Sequence, residues 1–187
     1  MRISGGTARG IPLAVPKGDM VRPATDGMRQ SVFSSLGTRV AGARFLDLFA
    51  GSGAYGLEAV SRGAAGGVFV EKNPKAIGCL RQNIAAVCKS GGHDPGALSV
   101  LARDVRGISS QELGTPDLIF IDPPYEIITE VADELFAELT AIHSGKVDPI
   151  VVFEMPGEIE LRPEGWTCVK RLGKGVRQPT VAFFKRA

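Results

Sequence analysis

The sequence predicts an α/β fold built on a parallel sheet, and three observations carry that prediction. From Arg44 onward, strand-like apolar runs alternate with segments of helical period. The first strand opens into a glycine-rich turn, Gly51-Ser-Gly53, and the run Leu118-Ile-Phe-Ile121 halts at Asp122-Pro-Pro-Tyr125. Four apolar residues in a row suit a strand covered on both faces, and two prolines cannot continue its ladder, so that strand ends at Asp122. A rigid turn then presents a carboxylate, a proline carbonyl and an aromatic ring beyond the carboxyl edge of the sheet, where open α/β sheets place their ligands.

Taken in order, Arg2 to Pro16 reads as a small hairpin, with Gly5-Gly6 at its turn and Ile11, Leu13 and Val15 on the return strand. Val21 to Thr25 is an extended connector. Thr25 or Asp26 then caps a helix carrying Met28, Val32 and Leu36 on one face. Residues 1–43 thus form a basic extension of hairpin plus helix, ahead of a main domain over 44–187. In that domain Phe45 to Phe49 is a strand, Tyr55 to Arg62 a short helix and Gly67 to Glu71 a second strand. Asn73 caps a long helix with Pro74 at its first position, where the missing N–H costs nothing; Ile77, Leu80, Ile84 and Val87 form its buried stripe. Leu98 to Leu101 is the third strand, ending near Asp104, and Leu118 to Ile121 the fourth. A helix over 127–142 buries Val131, Leu135, Leu139 and Ile142 before a fifth strand from Pro149 to Glu154. Trp166 to Arg171 and Thr180 to Lys185, joined across Gly173-Lys-Gly175, pair as a final hairpin.

At 187 residues the chain suits one domain with a core of ordinary size. Cys79, Cys88 and Cys168 form no C-x-x-C pair, which argues against a disulfide framework and against a metal site. No signal-peptide pattern and no membrane-length apolar run are present, so a soluble, cytoplasmic protein, monomeric and without membrane contact, is expected. The net charge of +2 hides an asymmetry: residues 1–44 carry +5, residues 162–187 carry +6, and the centre carries −9. Basic blocks at the two ends are a footprint of nucleic-acid contact, or of solvated termini.

Asp47 through Glu58 spans the glycine turn, where Gly51 and Gly53 let the backbone approach a ligand. Gly51, Gly53 and Gly56 also satisfy G-x-G-x-x-G, with Glu71 twenty residues downstream of Gly51, so both a dinucleotide and S-adenosyl-L-methionine must be weighed. Glu71 reports a ribose in either case. Asp47, placed to meet a cationic group, Asp104, placed to accept from an adenine amine, and the Asp-Pro-Pro-Tyr turn, which has no role in hydride transfer, favour S-adenosyl-L-methionine. The expected cofactor contacts are Asp47, Gly51, Ser52, Gly53, Glu71 and Asp104.

The chain resembles the S-adenosylmethionine-dependent methyltransferases and, more narrowly, the RsmD family of 16S rRNA guanine-N2 methyltransferases. The resemblance rests on Arg2-Ile-Ser-Gly-Gly6, on Arg22-Pro-Ala-Thr-Asp26 with Arg29 and Phe33, and on Leu46-Asp-Leu-Phe-Ala-Gly-Ser-Gly53 continuing through Gly56-Leu-Glu-Ala59 to Ser61-Arg-Gly-Ala64. Glu71 and Asp122-Pro-Pro-Tyr125 complete it; Gly27 and Gln30 depart from it, standing where the family usually has Arg and Glu. It implies a Rossmann-like, seven-stranded sheet with an antiparallel last strand, and small-subunit rRNA or an assembling small subunit as substrate. Asp122 and the Pro123 carbonyl would hold an exocyclic amine and Tyr125 would stack on its base, while Arg2, Arg9, Arg22 and Arg29 would hold phosphates. An amino-methyltransferase acting on adenine N6, an NAD-dependent oxidoreductase and an RNA-binding module are the competing readings.

Overall fold

The computed structural model describes residues 1–16, 25–108, 110–142, 148–175 and 178–187. Helix α1 (Asp26–Leu36) begins where the Thr25 hydroxyl accepts the Met28 N–H at 3.2 Å, and ends at Gly37. Then follow β1 (Arg44–Leu48), α2 (Ala54–Ser61), β2 (Gly66–Glu71), α3 (Pro74–Gly91) and β3 (Leu98–Ala102). The chain continues through a one-turn helix α4 (Ser110–Leu113), β4 (Leu118–Ile121), α5 (Ile128–Ile142), β5 (Ile150–Pro156), β6 (Trp166–Leu172) and β7 (Pro179–Arg186). These are the expected elements to within a residue or two, α4 excepted, which is too short to show a period. The Asn73 side chain caps α3 by accepting from Lys75 and Ala76, with Pro74 next to it.

The seven strands form one sheet in the order β3-β2-β1-β4-β5-β7-β6. Strands β1 to β5 run parallel, and β7 inserts antiparallel between β5 and β6. Strand order reverses between β1 and β4, and the crevice such a switch opens at the carboxyl edge is where doubly wound folds bind ligands. Alternation along the strands builds two apolar layers. Phe45, Phe69, Phe120, Val152 and Phe183 meet α1, α2 and α3, whereas Leu46, Ile119, Phe153 and Phe184 meet α5 on the other face. Gly56 lets α2 settle on the first face, because a Cβ there would lie 2.4 Å from the Phe69 ring.

The N-terminal hairpin pairs Arg2 with Pro12 antiparallel, Ile3 N–H donating to Ile11 O at 3.0 Å and Leu13 N–H to Met1 O at 3.1 Å, but the chain between is a wide loop laid on α2 instead of a tight turn at Gly5-Gly6. Its polar groups are satisfied by the end of that helix: Ser61 O accepts from Thr7 N–H at 2.7 Å, while Ser61 Oγ donates to Gly5 O at 2.6 Å and accepts from Ala8 N–H at 2.9 Å. Ile3, Ala8 and Leu13 join the same apolar layer as α1 and α2. Beneath this loop, Glu58 is fully buried and collects Ser4 N–H (2.8 Å), Ser4 Oγ (2.7 Å), Arg62 Nε (2.8 Å) and Arg29 Nε (3.2 Å). Arg29, itself 0% exposed, also donates to Asp26 Oδ1 and to the Arg2 carbonyl.

The expectation that Arg29 holds a phosphate is therefore corrected. Its guanidinium points inward and, with Nε on Glu58 Oε2 at 3.2 Å, ties α1 to α2 as the second cation on that buried carboxylate beside Arg62. Much of the pattern that carries the family resemblance (Ser4, Asp26, Arg29, Glu58, Ser61 and Arg62) is the scaffold that holds the N-terminal loop on α2. Arg22 and most of the connector Val21 to Thr25 lie outside the described residues. Among the described residues no helix is long and apolar enough to cross a membrane.

Candidate active site

A cleft of about 320 Å³ opens at the carboxyl edge of β1 to β4. Its floor is the turn after β1, where Phe49 and Gly51 take positive φ angles of 60° and 55°. Gly51 does so without strain, and a Cβ there would meet nothing of the protein closer than 4.0 Å, so the space it leaves belongs to the cleft. Phe49 is the one non-glycine with positive φ among the described residues, and it lines the same cleft. Gly53, at φ 81°, begins α2 but faces away from the cleft, where a Cβ would lie 2.4 Å from Leu80 Cδ1.

Glu71 ends β2 with its carboxylate spanning the cleft floor. Oε2 accepts from Gly51 N–H at 2.8 Å and Oε1 from Asn73 N–H at 2.7 Å. Each oxygen keeps acceptor capacity for a ribose hydroxyl. Asp104 lines the outer wall, where its hydrogen bond from Lys72 Nζ at 2.8 Å and the Arg106 N–H hold its pKa down to about 2. Further wall comes from Ser52, Ala76, Arg103, Val105, Pro124 and the Val15-Pro16 segment. Sequence reasoning missed the residue that places this last segment. Asn83, a polar side chain in the buried stripe of α3, accepts from Ala14 N–H at 2.8 Å and donates to Ala14 O and Ser52 O at 2.9 Å each.

Asp122 meets the cleft from the end of β4. Pro123 behind it is buried, and Tyr125 stands 38% exposed beyond it. Asp47, by contrast, is only 3% exposed and does not line the cleft; its Oδ2 accepts the Gly56 N–H at 2.9 Å, and burial raises its pKa to about 8. It supports the glycine turn from beneath instead of forming the cleft wall. Two further groups lie near Asp122. Glu154 of β5 is 2% exposed and accepts from the Tyr55 hydroxyl at 2.9 Å. An acid inside the apolar run Ile150-Val-Val-Phe-Glu-Met155 was the sequence signal for it. Among the described residues no group of three or more His, Cys, Asp or Glu side chains could hold a metal ion.

The cleft has the features that suit S-adenosyl-L-methionine: open space above Gly51, acceptor carboxylates in Glu71 and Asp104, and apolar wall from Ala76, Val105 and Pro124. Fold and site together define an S-adenosylmethionine-dependent methyltransferase. Residues 1–184 match the family described as Conserved hypothetical protein 95. The chain belongs to this family, that of the RsmD proteins. It is 34% identical over 164 residues to YlbH of Bacillus subtilis, covering 86% of this chain and 85% of that one. Ribosomal RNA small subunit methyltransferase D of Escherichia coli K12 is 40% identical over 129 residues, 67% of this chain and 60% of that protein. Among solved structures, a hypothetical protein of Thermus thermophilus superposes with a TM-score of 0.76 at 32% identity, covering 98% of each chain.

Proposed function

We propose that the chain transfers a methyl group from S-adenosyl-L-methionine to the exocyclic N2 amine of a specific guanine in small-subunit ribosomal RNA, free or in an assembling subunit. The observation that carries this is the Asp122-Pro-Pro-Tyr125 turn meeting the cleft lined by Gly51, Glu71 and Asp104. A family relative named ribosomal RNA small subunit methyltransferase D supports the choice of RNA. The cofactor supplies an activated methyl group on a sulfonium; this chain supplies position and charge. Gly51, Ser52, Glu71 and Asp104 hold the nucleoside, and Asp47 and Gly53 shape the turn beneath. An exocyclic amine is a weak nucleophile because its lone pair is delocalised into the ring. Asp122 and the Pro123 carbonyl accept its two N–H bonds, which localises that pair, and Tyr125 stacks on the extruded base. Arg2 and Arg9, both exposed, flank one shallow cleft with Gly27 and Gln30 of α1 and supply phosphate contacts together with Arg22. The two positions that depart from the family pattern thus lie beside the two arginines. The protein works as a cytoplasmic monomer.

The test is to incubate the protein and labelled cofactor with unmodified small-subunit particles, free rRNA and DNA, and to identify the labelled nucleoside. N2-methylguanosine in rRNA is expected. Label on N6-methyladenine or on DNA alone overturns the target, and NADH binding without S-adenosyl-L-methionine binding overturns the class.

A further inference from the structure

Behind Asp122 lies a buried acid that the mechanism above does not use. Ile121 of β4 pairs with Phe153 of β5 in parallel register, so Asp122 and Glu154 are the next two residues in line on adjacent strands. Phe120 and Val152, two residues earlier, face the α1 and α2 layer, and the period of two turns both carboxyl groups to that same side. Every residue of β5 is buried, and Glu154 is 2% exposed. Tyr55, its ring stacked on Phe120 with centroids 5.4 Å apart, donates to Glu154 Oε2 at 2.9 Å. The groups facing the two acids are Asp47 from β1 and Tyr55 from α2, with Arg29 of α1 acting on Tyr55 from a distance. Among the described residues no Lys or Arg forms an ion pair with either acid.

Resting on the methyl-transfer reading, we propose that Asp122 and Glu154 form a carboxyl pair that shares one proton, with Glu154 a positioning residue that Tyr55 holds in place and that acts through Asp122. A buried carboxyl group and a half-buried one at neighbouring register positions cannot both ionise cheaply, so they titrate as a unit. Burial pushes Glu154 up to about 7, and burial together with the charges of Glu154 and Asp47 raises Asp122 well above the carboxylate range. The pair suits the proton balance of the reaction. The amine lone pair forms the N–C bond, the C–S electrons return to sulfur, and the nitrogen is left with one proton too many. A singly protonated pair takes that proton from the nitrogen, becomes neutral, and returns it to water after product leaves. An isolated aspartate of ordinary pKa is a poorer acceptor at neutral pH.

The test has one readout that needs no activity. In cofactor-free protein with 13C-labelled Asp and Glu carboxyl groups, NMR titration is expected to show the assigned Asp122 and Glu154 carboxyls titrating near or above neutrality. Glu154→Gln should move the Asp122 titration down by about one pH unit or more. Tyr55→Phe, which removes the donor that favours ionised Glu154, should move the pair up. In methyl transfer, Glu154→Gln should shift the acid limb of the pH–rate profile down and slow the reaction at pH 7 by about tenfold or more. Asp122 and Glu154 carboxyls that both titrate below pH 5, or an Asp122 titration unmoved in both variants, overturn the pair while leaving guanine methylation by the wild type intact. The expected titrations in a protein that labels no RNA would support the pair and overturn the proposed function instead.

Discussion

Replacing Arg29 by methionine separates the two roles this residue can have. Methionine keeps most of the apolar stem but removes the guanidinium. Breaking a buried ion pair costs about 3–5 kcal/mol, because the partner stays behind as an uncompensated charge. Here the partner is not abandoned: Glu58 keeps Arg62 Nε at 2.8 Å and both Ser4 donors. The substitution also removes Arg29 Nη1, which is buried with no hydrogen-bond partner, a relief of about 1–3 kcal/mol. Taking the middle of each range, the net loss is about 2 kcal/mol, which at this chain length lowers Tm by roughly 4–8 °C. Urea unfolding monitored by circular dichroism, with Glu58→Gln and the double mutant completing a cycle, measures it. A loss below about 0.5 kcal/mol together with a tenfold fall in rRNA affinity would show that Arg29 swings outward to the phosphates, and would refute the inward assignment.

Asp122→Ala should keep cofactor affinity within about threefold yet slow methyl transfer by roughly a thousandfold, since the lost contacts act on the amine in the transition state; calorimetry and single-turnover labelling report the two quantities. Glu71→Ala removes the ribose acceptor and the anchor of Gly51 N–H, and should weaken cofactor binding by about 10–100-fold by isothermal titration. Gly27→Ala should stabilise the protein by about 0.5–1 kcal/mol in chemical denaturation, because the position is helical and a Cβ there meets nothing within 4 Å. Asp47, raised by burial from 3.8 to about 8, keeps in the folded state a proton that the unfolded chain has lost between those values. Its contribution is therefore fully present below about pH 4 and lost as the pH climbs toward 8; stability of the cofactor-free protein should decline over that window, and Asp47→Asn should flatten the slope.

Strand and helix periods located nearly every element, because two-sided burial leaves its mark residue by residue. The acids at strand ends were legible for the same reason: a carboxylate that closes an apolar run has few structural excuses. What escaped were arrangements that depend on neighbours distant in sequence. Asp47 looked like a cleft residue, but α2 lies over it and Gly56 N–H occupies its carboxylate. Arg29 looked like a phosphate ligand because a basic helix reads the same whether its arginine turns in or out, and only Glu58, 29 positions later, decides the matter. Glu154 sat in plain view inside an apolar strand. Its importance depended on β5 lying next to β4 in register, which no local pattern reveals.

The insertion of β7 between β5 and β6 has a consequence for how the molecule is made. Pro179–Arg186 supplies the ladder partners of both neighbours, from Val151 to Pro156 on one side and from Trp166 to Leu172 on the other. A nascent chain halted before those residues emerge from the ribosome holds β5 with an open apolar edge and β6 with no strand to join. The sheet that carries Glu154 is thus completed only after β7 has emerged, which makes this stretch a sensitive place for truncation.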